Sequence, residues 1–116
     1  MQYLLLIYET ESQFYDALSD PEKQEIYRQY HELIQDLQKS GKYKASHQLQ
    51  PIATATTIRV RDGKKAVTDG PFAETKEQLG GYFLVEAKDL DEALAVAARI
   101  PSVHRGSIEV RPVVMR

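Results

Sequence analysis

At 116 residues, 42% hydrophobic and 28% charged, the chain is one domain's worth of ordinary globular composition, long enough for a single two-layer core. A formal charge of -2, without a basic stripe or arginine-rich tail, removes the electrostatic case for nucleic acid. The absence of cysteine leaves neither a disulfide framework nor a thiolate site, in keeping with a reducing compartment.

The first run, Gln2 to Tyr8, is apolar in both alternating sets: Tyr3, Leu5 and Ile7, then Leu4, Leu6 and Tyr8. That pattern predicts a central strand covered on both faces. The run is too short to cross a bilayer and lacks a basic flank and a cleavage site, so a cytoplasmic protein with no membrane contact is expected. Ser12 to Leu18 reads as a connection or short helical turn. Ser19-Asp20-Pro21-Glu22 then opens a long helix, with Ser19 and Glu22 at capping-box spacing and Pro21 in the first turn. Ile26, Tyr30, Leu33 and Leu37 share one face of it, and Ser40-Gly41 ends it.

Lys42 to Leu49 reads as a weaker strand closed by Pro51. Thr54 to Arg61 is dense in β-branched residues, with Ile58 and Val60 on one face and Thr57, Arg59 and Arg61 on the other. Asp62-Gly63 is a tight hairpin signal, so Lys64 to Thr68 is its return strand. The stretch from Val67 to Glu77 follows. Gly70-Pro71 makes it a rigid corner, Asp69, Glu74, Lys76 and Glu77 surround that corner, and Phe72 is an apolar anchor. Such a loop can aim carboxylates at a pocket, or serve simply as a well-built turn with solvated charges.

Leu79 to Ala87 is a second strand apolar on both faces, and Gly80-Gly81 at its start implies a bulge or a close approach of backbone. Asp89 and Glu92 cap a second helix whose inward face is expected to be Leu90, Ala93, Leu94, Ala97 and Ile100, stopped by Pro101. Ser107 to Val114 is the last strand, with Ile108, Val110 and Val114 opposed to Glu109, Arg111 and Val113.

The order is α+β: a ferredoxin-like βαββαβ unit with an added β-hairpin, one domain over residues 1–116. Two helices cover one face of such a sheet. The other face must meet something, and the same face of a second copy is the expected partner, giving a homodimer with a cavity between sheets.

No phosphate-cradling glycine loop, zinc-spaced Cys/His set, H-E-x-x-H or G-x-S-x-G occurs, so neither a metal nor a cofactor is expected. His31, on the first helix beside the apolar stripe, is either a surface histidine or a general acid/base directed at the Asp69 loop. His47, in the second strand, is an ordinary strand histidine or a pocket wall. His104 reads as solvent-facing. Arg59, Glu109 and Arg111 lie in mid-strand, where charges need partners. They are either a network holding strands or subunits in register, or a site for a small anionic ligand suited to arginine's planar fork.

Thr68-Asp69-Gly70-Pro71-Phe72-Ala73-Glu74-Thr75-Lys76-Glu77-Gln78-Leu79-Gly80-Gly81-Tyr82 closely resembles the signature of the DGPF-domain branch of the YCII-related family. Leu5-Ile7-Tyr8, Pro51, Ala55-Thr56-Thr57-Ile58-Arg59, Asp62-Gly63, Asp91-Glu92-Ala93 and Ile108-Glu109-Val110-Arg111-Pro112 are similar to its other landmarks, so the resemblance spans nearly the whole chain. It implies a dimeric α+β barrel built on ferredoxin-like subunits. For function it implies a His–Asp pair in a cleft, with Asp69 as the aspartate and His31, a helix length before Gly41, as the histidine. Similar domains are also found fused to, or encoded beside, extracytoplasmic-function sigma factors, which implies a regulatory alternative.

The readings to be separated are therefore three. In the first, the protein is an enzyme in which Asp69 and His31 perform acid/base chemistry while Arg59, Arg111, Glu109, His47 and Phe72 hold a small anionic substrate in the dimer cavity. The second is a non-catalytic ligand-binding or regulatory dimer, with Asp69 a turn residue. The third is a packed dimer without a cavity.

Overall fold

Side-chain alternation in the first strand sets the layering. In β1 (Gln2–Glu9) Tyr3, Leu5 and Ile7 are buried, whereas Leu4, Leu6 and Tyr8 between them are only half-buried. One face of this strand is thus covered by its own chain and the other is not. The protein is seen here as a computed structural model that describes residues 1–12 and 16–116. The stretch Ser12 to Leu18, read as a connection, falls partly outside those residues.

After β1 come α1 (Asp20–Lys39), β2 (Tyr43–Gln48), a 3₁₀ turn (Ile52–Thr54), β3 (Thr56–Arg61) and β4 (Lys64–Asp69). They are followed by β5 (Gln78–Glu86), α2 (Leu90–Ala97), a second 3₁₀ turn (Pro101–His104) and β6 (Ser107–Pro112). The main sheet has the order β2-β5-β1-β6, with every neighbouring pair antiparallel. This is the expected ferredoxin-like arrangement, with β3–β4 as the added hairpin forming a sheet of its own.

Local chemistry accounts for the helices. Ser19 accepts the Glu22 N–H while the Glu22 carboxylate accepts the Ser19 N–H, a full capping box. At the other end the Lys42 N–H reaches the Leu37 carbonyl and the Gly41 N–H the Gln38 carbonyl, with Gly41 at φ 74°, a Schellman motif. Ile26, Leu33 and Leu37 are buried; Leu33 and Leu37 join the core on the sheet, and Tyr30 and Ile34 pack partly against that core. Asp89 caps α2 by accepting the Glu92 N–H at 2.9 Å.

The face of α2 differs from expectation. Ala93, Val96, Ala97 and Ile100 are inward, whereas Leu90 and Leu94 are about half exposed. Small residues at three- and four-residue spacing let this short helix lie close on the sheet, and that rotates its two leucines outward.

The hairpin turns at Asp62 (φ 52°) and Gly63 (φ 74°), both left-handed, as a two-residue type I′ turn requires. It buries almost nothing: every residue of β4, and all of β3 except Thr57, is exposed. Its projection enlarges the radius of gyration to 16.1 Å, against about 13 Å for a compact domain of this length. Among the described residues no helix is long and apolar enough to cross a membrane.

Candidate functional site

Asp69 closes β4 opposite Thr56 in the hairpin. Beyond it, the Gly70-Pro71-Phe72 corner is held by backbone groups and two side chains. The Gly70 N–H donates to the Ala55 carbonyl at 2.8 Å, the Thr57 hydroxyl to the Gly70 carbonyl at 2.8 Å, and Arg59 Nη2 to the Phe72 carbonyl at 3.0 Å. Arg59 therefore clamps the loop instead of joining a charge network on the main sheet. The loop backs onto a mostly apolar recess of about 450 Å³ lined by Tyr8, Pro51, Ile52, Pro71, Phe72 and Leu79, among others. Phe72 itself is 78% exposed.

The face of the main sheet without helices collects the next set. Leu4, Leu6 and Tyr8 of β1 share it with Tyr82 and Leu84 of β5, as the pairings Leu4↔Leu84 and Leu6↔Tyr82 require. Glu109 stands beside Leu6 and Arg111 beside Leu4, and the two charged residues form an ion pair with each other. That pair holds Arg111 in its charged form. His47, opposite Tyr82 on the edge strand β2, shares a hydrogen bond of 2.8 Å between Nδ1 and the Tyr82 hydroxyl. Glu109 with Arg111, and His47 with the aromatic patch, are thus brought onto one face; Arg59 stays on the hairpin.

His31 and Asp69 are not brought together within the chain. His31 is exposed on α1 and Asp69 is exposed on the hairpin; among the described residues neither is joined to the other by a hydrogen bond or ion pair. His104, in the second 3₁₀ turn, is exposed as expected.

On the helix-covered side, α1 and the sheet leave a cleft of about 170 Å³. Ile7, Ile34 and Phe83 wall it, and Tyr30 stacks on Phe83 with ring centroids 6.1 Å apart. Gly81, which carries no side chain, helps to leave it open. Its polar end is made by the last residue of β1, Glu9, together with Tyr30 and Ser102. The Tyr30 and Ser102 hydroxyls are 2.6 Å apart, and Ser102 is 1% exposed. Glu9 Oε2 makes no hydrogen bond among the described residues and faces Arg105 Nη2 at 3.8 Å, an ion-pair distance longer than a hydrogen bond.

Burial raises the Glu9 carboxyl above its ordinary value, against the opposing pull of the Arg105 guanidinium and the Ser102 hydroxyl. Burial also raises the Tyr30 phenol, with the Ser102 hydroxyl acting against it. A carboxyl biased towards its protonated form, beside two hydroxyls that can each donate or accept, can exchange a proton with a bound molecule.

Sequence reasoning missed Glu9, Tyr30 and Ser102 as a set. The available signal was Glu9 ending a strand otherwise apolar on both sides, where a carboxyl is half-buried by its neighbours. Tyr30 reads only as part of the helix stripe, and Ser102 carries no local signal. Among the described residues no three His, Cys, Asp or Glu side chains gather as metal ligands.

Comparison with known proteins shows the family. The family model for the YCII-related domain matches residues 1–115. An uncharacterized protein of Rhizobium meliloti (strain 1021) is 38% identical over 117 aligned positions, covering 99% of this chain and 94% of the relative. With a match over nearly its whole length and a relative this similar, the chain belongs to the YCII-related family.

Proposed function

We propose that the protein is a homodimer that binds a small molecule in the cleft between α1 and the sheet of each subunit, with Glu9 and Tyr30 as its acid/base groups. The carrying observation is the cleft: about 170 Å³, walled by core side chains and closed by three converging polar groups. Two of these have shifted titration, a combination that favours a ligand site over a packing defect.

The homodimer is supported by the uncovered sheet face and by the hairpin. Ile58, Val60 and Val67 are each more than half exposed, and they join the Leu4, Leu6, Tyr8, Tyr82 and Leu84 face as apolar surface that a monomer rarely leaves open. Glu109, Arg111 and Arg59 serve in this reading as charges that set register between copies. The loop from Asp69 to Phe72 supports placing the chain in the DGPF branch of the family. An Asp69–His31 pair would form only between copies, the hairpin of one against α1 of the other, since both side chains are exposed in their own chain.

A fragment screen by ligand-observed NMR, repeated on Ile34→Trp to fill the cleft, tests the site. Hits should be lost in the variant; hits that persist undiminished place the ligand elsewhere. Light scattering should give a mass of twice the 13.2 kDa chain. Turnover of a hit by wild-type protein but not by Glu9→Gln marks an enzyme, and stabilisation without turnover marks a binding or regulatory module.

A further inference from the structure

Resting on the cleft as a ligand site, we infer that it takes an uncharged, largely apolar molecule of single-ring size with one hydrogen-bonding head, and discriminates against carboxylates. Size comes first. A dry cavity of about 150 Å³ lined by Leu, Ile and Phe accepts benzene, and the present cleft offers about 170 Å³ between Ile7, Ile34, Tyr30 and Phe83.

Charge decides the class. Among the described residues no lysine or arginine lines the cleft. Arg105 lies beyond Glu9, at 3.8 Å from its Oε2, so an anionic head would meet the Glu9 carboxyl before any guanidinium. A second carboxylate there is disfavoured by like charge and by loss of water together.

The other groups around Glu9 do not reverse this. From α1, Tyr30 and Tyr27 present phenols. From the second 3₁₀ turn comes the buried Ser102 hydroxyl. The β2 backbone at His47 borders the cleft, but its imidazole lies on the helix-free face with Nδ1 engaged by the Tyr82 hydroxyl at 2.8 Å. The nearby Glu11 carboxylate is taken by the Ile52 N–H at 2.6 Å and adds only negative charge. What remains at the polar end is a set of groups that donate or accept: the Tyr30 and Ser102 hydroxyls, 2.6 Å apart, and Glu9. An amide, hydroxyl or carbonyl head suits them.

A carboxylate then enters only with a proton. Its affinity rises as pH falls towards the range in which Glu9, raised by burial, is neutral, whereas an uncharged head binds with little pH dependence.

Benzamide and benzoate share a ring and nearly a shape and differ in charge, so they are the probes. Each is titrated into the full chain at about pH 7.5 and about pH 5.5, following the backbone amides of Gly81 and Ser102 by two-dimensional NMR. Benzamide should bind about tenfold or more tighter than benzoate at the higher pH, with the gap narrowing at the lower. In Glu9→Gln the two should come within about threefold of each other at both. Benzoate binding as tightly as benzamide to wild type at the higher pH overturns the inference and leaves the cleft as a site. So does a gap independent of pH, a result that needs no variant. Failure of both probes, and of all screening hits, to move the cleft amides overturns the site reading itself.

Discussion

Two adjacent glycines in β5 should respond differently to the same added methyl group. A Cβ on Gly81 would stand 2.7 Å from the His47 carbonyl oxygen and 3.3 Å from the Gln48 Cα. Both are backbone atoms of β2, which is hydrogen-bonded to β5, so no rotating side chain can relieve the clash; the edge strand must shift. Overpacking of this kind costs about 1–3 kcal/mol. For a domain of this length that lowers Tm by about 4–12 °C. At Gly80, the residue skipped where pairing shifts from Ile7↔Gly81 to Tyr8↔Leu79, the nearest atom would be Glu9 Oε1 at 3.7 Å. That is ordinary contact with a side chain that can move, so Gly80→Ala should stay within about 1 kcal/mol of wild type. Thermal and urea denaturation of both variants, at one protein concentration because the dimer would make Tm concentration-dependent, is the assay. A Gly81→Ala protein melting with wild type, or a Gly80→Ala protein losing as much stability as Gly81→Ala, refutes the geometry of the β2–β5 seam and of the cleft it borders.

The Glu9 carboxyl, raised by burial above 4.5, stabilises the fold when protonated, and that contribution is lost as pH rises through its folded value. Glu9→Gln should therefore gain stability relative to wild type as pH rises above the ordinary carboxylate range, and parallel melting curves would contradict the burial of this group. Tyr30→Phe removes one member of a 2.6 Å hydroxyl pair and leaves buried Ser102 with the Glu9 carboxyl as its side-chain partner, at a cost of about 0.5–1.5 kcal/mol. Adding Ser102→Ala should then cost less than it does alone, and strict additivity in the cycle would show that the pair does not couple. Val60→Asp, at a position 58% exposed, should leave the chain folded but halve the mass seen by light scattering; an unchanged dimer mass excludes the hairpin from the interface.

The secondary structure was legible because it follows from neighbours in sequence. Ser19 and Glu22 announce the start of α1, Gly41 its end, and Asp62-Gly63 a turn whose left-handed φ values few other dipeptides accept. Alternation separated the two faces of β1, and Gly80-Gly81 correctly marked a bulge and a close approach. Chain order then led to the ferredoxin-like sheet, since few right-handed connections satisfy it. The face of α2 was misjudged because five small and large apolar residues offer two plausible stripes, and only packing chooses between them.

What the sequence by itself determined was the set of elements, the faces of the strands and of α1, and the family-like loop from Asp69 to Phe72. These depend on backbone preferences and on side-chain periods of two and 3.6 residues. Tertiary structure alone decided which charged residues meet. Arg59 clamps the Phe72 carbonyl, Glu109 pairs with Arg111, and Asp69 and His31 stay apart within the chain. It also assembled Glu9, Tyr30, Ser102 and Arg105 at the end of one cleft from positions up to 96 residues apart in the numbering. Contacts at such separations are set by the register of β1, β5 and β6 and the angle of α1 on the sheet, and no local pattern carries that information.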